Sequence, residues 1–191
     1  DLNSNLFGKI QVIYTNYNYR YKTNSLSNEF EGFNQNENAL SINFKKNIFG
    51  HNLKTTISNG LFGERLGNLI NISVFSNNEK KLKYQFGLNI SSKHPGFYYE
   101  KYGSSYTNLN WNNNIKKEKI RNIFLNFKFS KFGDFCIDLR SIENYTYFIS
   151  SSAAFPSSFN KTLIPIVNQL ESDLDYLKIR WDREFKFGKF A

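Results

Sequence analysis

Two histidines, one cysteine and several clustered lysines are the residues of this chain whose types could do chemistry. His51 and His94 could share a metal ion only if a hairpin turn and a distant loop met, so two exposed loop histidines are the plainer expectation. Cys136 beside a histidine could act as a nucleophile. It falls on a predicted strand next to Asp138 and Arg140, however, where a small packing residue fits better. As the only cysteine, it has no intramolecular disulfide partner. The sequence has no Gly-rich phosphate loop and no paired-cysteine zinc motif. The expectation is a protein without catalytic residues, cofactor or metal.

The basic residues need separate weighing, because the formal net charge is +9. Lys80, Lys81 and Lys83, then Lys116, Lys117, Lys119 and Arg121, lie among tyrosines and phenylalanines, as a single-strand nucleic-acid surface would require. Such a surface places its aromatics on the same face as its cations. In residues 82–91 they lie on opposite faces: Leu82, Tyr84, Phe86, Leu88 and Ile90 share one, and Lys83, Gln85, Gly87, Asn89 and Ser91 the other. Segregation of that kind suits an apolar medium on one side and water on the other, so no nucleic-acid partner is expected.

The elements that must position these residues are strands. Alanine occurs only at 39, 153, 154 and 191, while asparagine, at about one residue in seven, weakens helices and suits turns and polar surfaces. Tyr, Phe, Ile and Thr are abundant, and aromatics make up 18% of the chain, which argues for an ordered all-β protein. Alternation recurs beyond 82–91. Ile70, Ile72 and Val74 precede the short connection 77–80, and Leu40, Ile42 and Phe44 lead through 47–51 to Leu53, Thr55 and Ile57. Ile123, Leu125, Phe127 and Phe129 oppose Asn122, Asn126 and Lys128, with Phe124 interrupting the polar face. Phe135, Ile137 and Leu139 alternate with Cys136, Asp138 and Arg140, and Leu177, Ile179 and Trp181 with Lys178, Arg180 and Asp182. Tyr17, Tyr19 and Tyr21 alternate with Asn16, Asn18 and Arg20.

About nine strands and a broken-off tenth follow from this pattern, many of them longer than the ~5–6 residues usual in soluble sheets and near the ~9–11 of bilayer-spanning strands. Longer connections are expected at about 22–38, 92–105 and 148–172. A strict alternation of short turns and long loops holds to residue 119. Two short connections, 113–118 and 131–134, then follow one another and leave the orientation of the second half open. With no methionine anywhere, and another strand due after Phe187-Gly188, residues 1–191 are expected to be part of a single barrel domain that continues at both ends.

Mean hydropathy is −0.54, and no run of about 18 apolar residues offers a membrane helix. That value does not exclude a transmembrane β-barrel, in which only alternate residues meet lipid. A soluble sandwich is the competing arrangement, but its core should be rich in Val, Leu, Ile and Ala, whereas buried Tyr needs a hydroxyl partner. Tyr98, Tyr99, Tyr102, Tyr106 and Trp111, and also Tyr145, Tyr147 and Phe148, would suit a membrane-interface girdle or could pack on the protein itself.

Residues 96–191 resemble the outer-membrane porin family of the Bacteroidota, found in Flavobacterium-like bacteria. The matching pieces are Leu109-Asn110-Trp111-Asn112-Asn113-Asn114 running into Lys116-Lys117, then Glu143-Asn144-Tyr145-Thr146-Tyr147-Phe148, and then 177–185 with Phe187-Gly188-Lys189-Phe190. Arg183-Glu184 stands where the family has Lys-Asp, keeping the charge pattern. The resemblance implies an antiparallel transmembrane β-barrel in the outer membrane, passing small hydrophilic solutes and contacting lipid. A plugged structural or docking subunit beside other outer-membrane proteins, and a soluble extracellular binding module, are the alternatives. In a barrel, polar parity makes Lys83, Gln85 and Asn89, Asn122, Asn126 and Lys128, Asp138 and Arg140, and Lys178, Arg180 and Asp182 the expected pore lining. Cations outnumber acids in that set, which predicts mild anion preference.

Overall fold

The structure, a computed structural model, describes residues 2–4, 8–21, 33–63, 65–76, 82–103, 110–129, 132–152 and 163–183. One antiparallel sheet of nine strands dominates it. In spatial order these are β1 (Leu2–Ser4), β2 (Gly8–Tyr21), β3 (Phe33–Ile48), β4 (His51–Phe62), β5 (Asn68–Ser76), β6 (Leu82–Lys93), β9 (Glu118–Phe129), β10 (Gly133–Glu143) and β13 (Leu174–Asp182). Two hairpins stand outside it, β7 (Lys101–Tyr102) with β8 (Trp111–Asn112) and β11 (Thr146–Ser152) with β12 (Leu163–Gln169). A single helical turn, α1 (Phe97–Glu100), follows β6. The fold is all-β, as alternation predicts. The sheet is open, with β1 and β13 as its edges, so no barrel is closed among the described residues.

The two hairpins resolve the question of orientation. Trp111 belongs to a two-residue strand that never enters the main sheet, so everything from 94 to 117 is one long connection between the neighbours β6 and β9. Short links therefore join β1–β2, β3–β4, β5–β6 and β9–β10 at one end of the sheet; at the other, long ones join β2–β3, β6–β9 and β10–β13, and a short one, 63–67, joins β4–β5. The connection expected at 113–118 is thus part of a long one, and no two short connections follow one another after residue 119. The β3–β4 link is the tightest: Ile48 pairs His51 across Phe49 and Gly50, both with positive φ (50° and 80°), the primed turn that matches strand twist.

Register sorts the side chains into two faces. Val12, Ile42, Ile57, Ile72, Phe86, Ile123, Leu139 and Ile179 share one face with their alternate neighbours, and each is more than a third exposed. Among the described residues nothing packs on this face, and the buried apolar residues are only Ala39, Ile115 and Ile142. A soluble sandwich would bury these aliphatics between two sheets. The apolar band also has a polar upper edge, where Asn16 opposes Asn38, Asn59 opposes Asn68, and Arg121 opposes Ser141, which opposes Asp175. On β6 the band runs from Leu82 to Ile90, about 26 Å along the strand at ~3.3 Å per residue. Tilted as barrel strands are, that height matches an apolar belt of roughly 20–25 Å.

The opposite face is polar and concave, since residues from β3 to β13 line a common cavity on it. Phe124 sits on this face as its sequence position implies, and its ring lies over Gly87 on the neighbouring strand, where a Cβ would come within 2.3 Å of it. The ring and the missing side chain fit as a pair. Gly87→Ala is therefore expected to cost about 1–2 kcal/mol by overpacking, read as a shifted urea midpoint in lipid vesicles, and Phe124→Leu in the same chain should restore it.

One alternation changes its meaning in space. Tyr17, Tyr19 and Tyr21 lie on the concave face with Glu37 and Gln35, while Asn16, Asn18 and Arg20 lie on the convex side above the apolar band. Here the chain has passed the apolar zone, so aromatic parity no longer marks the exposed face.

Candidate functional site

All eleven residues expected to line a pore are on the concave face. The rows run Lys83–Lys128–Asp134–Asp182, Gln85–Asn126–Cys136–Arg180 and Asn89–Asn122–Arg140–Tyr176 across β6, β9, β10 and β13. Asp138 opposes Phe124 on one side and Lys178 on the other. Lys83, Gln85, Asn126, Lys128, Arg180 and Asp182 line the cavity of about 960 Å³, which extends across to Lys45 and Lys54 of β3 and β4. Asn89, Asn122, Asp138, Arg140 and Lys178 share the face but lie outside that cavity.

Ion pairs tie part of the lining together. Lys128 Nζ lies 2.9 Å from Asp134, Arg180 Nε 2.7 Å from Asp182, and Arg140 3.5 Å from Asp138. Asn122 donates to Asp138 at 3.3 Å. Asn122 Oδ1, Asp138 Oδ1 and Arg140 Nε have no protein partner although they are buried, a bonding capacity that suits a hydrated wall better than a dry core.

Toward the long-loop end a second construction crosses the concave side. Glu37 of β3 is fully buried, and its carboxylate accepts from the backbone N–H groups of Arg65 (2.6 Å) and Leu66 (3.0 Å) and from Gln35 Nε2 (3.0 Å). Gly63, at φ +101°, gives it room, since a Cβ there would lie 2.3 Å from Glu37 Cγ. Arg65, so placed, pairs with Glu100, donates to the Pro95 carbonyl at 3.0 Å and lies 3.3 Å over the Phe97 ring. Phe97 in turn packs on Tyr19 and Tyr21, and Tyr21 donates to the Lys101 carbonyl at 3.3 Å. Segment 94–101 thus runs from the end of β6 back to β2, spanning the strands between. Sequence reasoning missed Glu37 because a lone glutamate among Gln35, Asn36 and Asn38 carries no signal. The only hint was Arg65 in a short loop bounded by Gly63 and Gly67.

The histidines do not meet. His51 begins β4 at the short-turn end, where it contacts Tyr84, and His94 ends up beside Arg65 and Glu100 at the other. His94 is a correction to the exposed-loop expectation: its side chain is only 13% exposed, because segment 94–101 folds inward. No group of three metal-ligating side chains occurs among the described residues.

The loop aromatics gather instead of spreading around a rim. Tyr98, Tyr99, Tyr102, Trp111 and Phe148 form one cluster with ring centroids 4.4–6.2 Å apart, and burial there pushes the Tyr99 phenol up from its ordinary value. Tyr106 lies outside the described residues. A row of aromatics that did go unforeseen lies at the short-turn end of the convex face, where Tyr84 opposes Phe127, which opposes Phe135, which opposes Trp181. Trp181 is 60% exposed and its indole N–H donates to the Phe132 carbonyl at 2.8 Å, with one side apolar and the other satisfied.

Against known proteins, the model of a family described as "Putative porin" matches residues 1–191, the whole chain, including 1–95 where no motif was evident. No curated protein and no solved structure matches it.

Proposed function

Because the chain belongs to the Putative porin family, we propose that it forms the wall of an outer-membrane β-barrel through which small hydrophilic solutes diffuse passively, with no chemical step. The observation that carries this reading is the inversion of its two faces. Exposed aliphatics and aromatics cover the convex side, and charged and amide side chains cover the concave side. Lipid is the partner that suits the first, and water with dissolved solutes the second. The aromatic row ending in Trp181 and the polar edge at Asn16, Asn38, Asn59 and Asn68 lie where the two interfaces would fall.

On this reading the lining is Lys83, Gln85, Asn89, Asn122, Asn126, Lys128, Asp138, Arg140, Lys178, Arg180 and Asp182. Five of these are cations and two are acids. Reversal potentials across a KCl gradient in planar bilayers should show a modest preference for chloride, and clear cation selectivity would contradict it.

A second reading has support of its own. Segment 94–101, locked by Arg65 and Glu100, crosses the lumen side and would narrow it, as in a barrel that serves as a structural or docking subunit for other envelope proteins. Extraction in mild detergent separates the two: a channel migrates alone and conducts, whereas a docking subunit migrates with partners and does not.

A further inference from the structure

We propose that the concave cavity holds a binding site for small multivalent oxyanions, centred on Lys45 and Lys54, with Lys83 on its far side. The inference deepens the channel reading above and rests on it for the direction in which the cavity faces. Charge accounting inside the cavity carries it. Five cations line the space, Lys45, Lys54, Lys83, Lys128 and Arg180, together with two carboxylates, Asp134 and Asp182. Both carboxylates are engaged, Asp134 by Lys128 at 2.9 Å and Asp182 by Arg180 at 2.7 Å. None of the ion pairs among the described residues includes Lys45, Lys54 or Lys83. Among its described lining residues the cavity therefore keeps three positive charges outside any ion pair.

All three side chains are exposed on the concave face. Lys45 and Lys54 are directly opposed across β3 and β4 on the same face, and like charges in that position repel. Beside Lys54 the same row continues through Ser73 and Gly87, and the Phe124 ring covers Gly87 at the far end of the row. Thr56, one pair further up β4, also lines the cavity and hydrogen-bonds Asn43 at 2.8 Å, adding polar groups to the wall. An oxyanion with two or more charges, a phosphate ester or a di- or tricarboxylate, can bridge the lysines with charge-assisted hydrogen bonds and relieve their repulsion. Chloride carries one charge and offsets one ammonium, whereas such an ion offsets both. The site would therefore favour multivalent oxyanions over simple monovalent ones.

Inorganic pyrophosphate is the probe. The protein is reconstituted in planar bilayers, and chloride current is measured as pyrophosphate is added. Saturable reduction of the current is expected, with the half-blocking concentration raised roughly tenfold or more by Lys45→Gln with Lys54→Gln. Lys119→Gln, which removes a cation outside the cavity that pairs with Glu143, should leave it unchanged. Conduction without block, or block indifferent to the double substitution, overturns the proposal and leaves the channel reading standing. Absence of any conductance counts against the channel reading instead. Pyrophosphate titration of the detergent-solubilised protein by calorimetry then decides the site, since binding must be present in the parent and lost in the double variant.

Discussion

Phe86→Lys should destabilise the membrane-inserted protein by about 2–4 kcal/mol, whereas Gln85→Lys, one residue earlier on the same strand, should change it by less than about 0.5 kcal/mol. Phe86 stands near the middle of the apolar band of β6 and is 49% exposed, opposite Val74 on one side and Leu125 on the other. If lipid covers that face, an ammonium there must snorkel or draw water into the bilayer. Gln85 points to the concave cavity among Asn126 and Phe75, where a further cation meets solvent. A water-exposed convex face would remove the difference, because a half-exposed phenylalanine on a soluble sheet tolerates lysine easily. Urea unfolding from lipid vesicles measures both variants. A near-zero effect of Phe86→Lys would remove the lipid-facing assignment of the convex side.

Glu37→Gln is the second large effect expected, and it is local. The buried carboxylate accepts two backbone N–H groups and an amide, and a glutamine keeps its size while turning an amide donor toward other donors. Lost charge-assisted bonds of this kind are worth about 2–3 kcal/mol. Amide exchange at Arg65 and Leu66 should accelerate on the order of 30- to 100-fold, with β9 and β10 unaffected. Because Arg65 carries the contacts to Pro95, Phe97 and Glu100, segment 94–101 should loosen as well. In a channel narrowed by that segment, single-channel conductance should rise. Unchanged exchange at Arg65 and Leu66 would show that Glu37 does not hold the segment.

The strands were legible because their two faces are chemically different, and a period of two is then written into every strand that carries both. Residues 82–91 show this most cleanly, and all the polar positions selected by parity do share one face. Three features escaped for physical reasons. Connections expected at 92–105 and 113–118 left room for a strand around Trp111, yet in the β7–β8 hairpin only two residues pair on each side. The aromatics of 98–111 suited a girdle or packing on the protein itself, because both use the same side chains; the contacts with Phe148, distant in sequence, show the packing. Glu37 and Lys45 are ordinary polar residues in sequence, and only pairing across strands shows that one receives backbone amides and the other faces Lys54.

Thiol accessibility along β6 tests most directly whether the concave face is aqueous and the convex face meets lipid. Single cysteines replace residues 82 to 90 one at a time in a Cys136→Ser background, in the full-length protein inserted in outer membranes. A charged, membrane-impermeant thiol reagent should label Lys83→Cys, Gln85→Cys and Asn89→Cys and spare Tyr84→Cys, Phe86→Cys and Leu88→Cys. Uniform labelling, or labelling of the apolar positions in place of the polar ones, would contradict the assignment of the two faces.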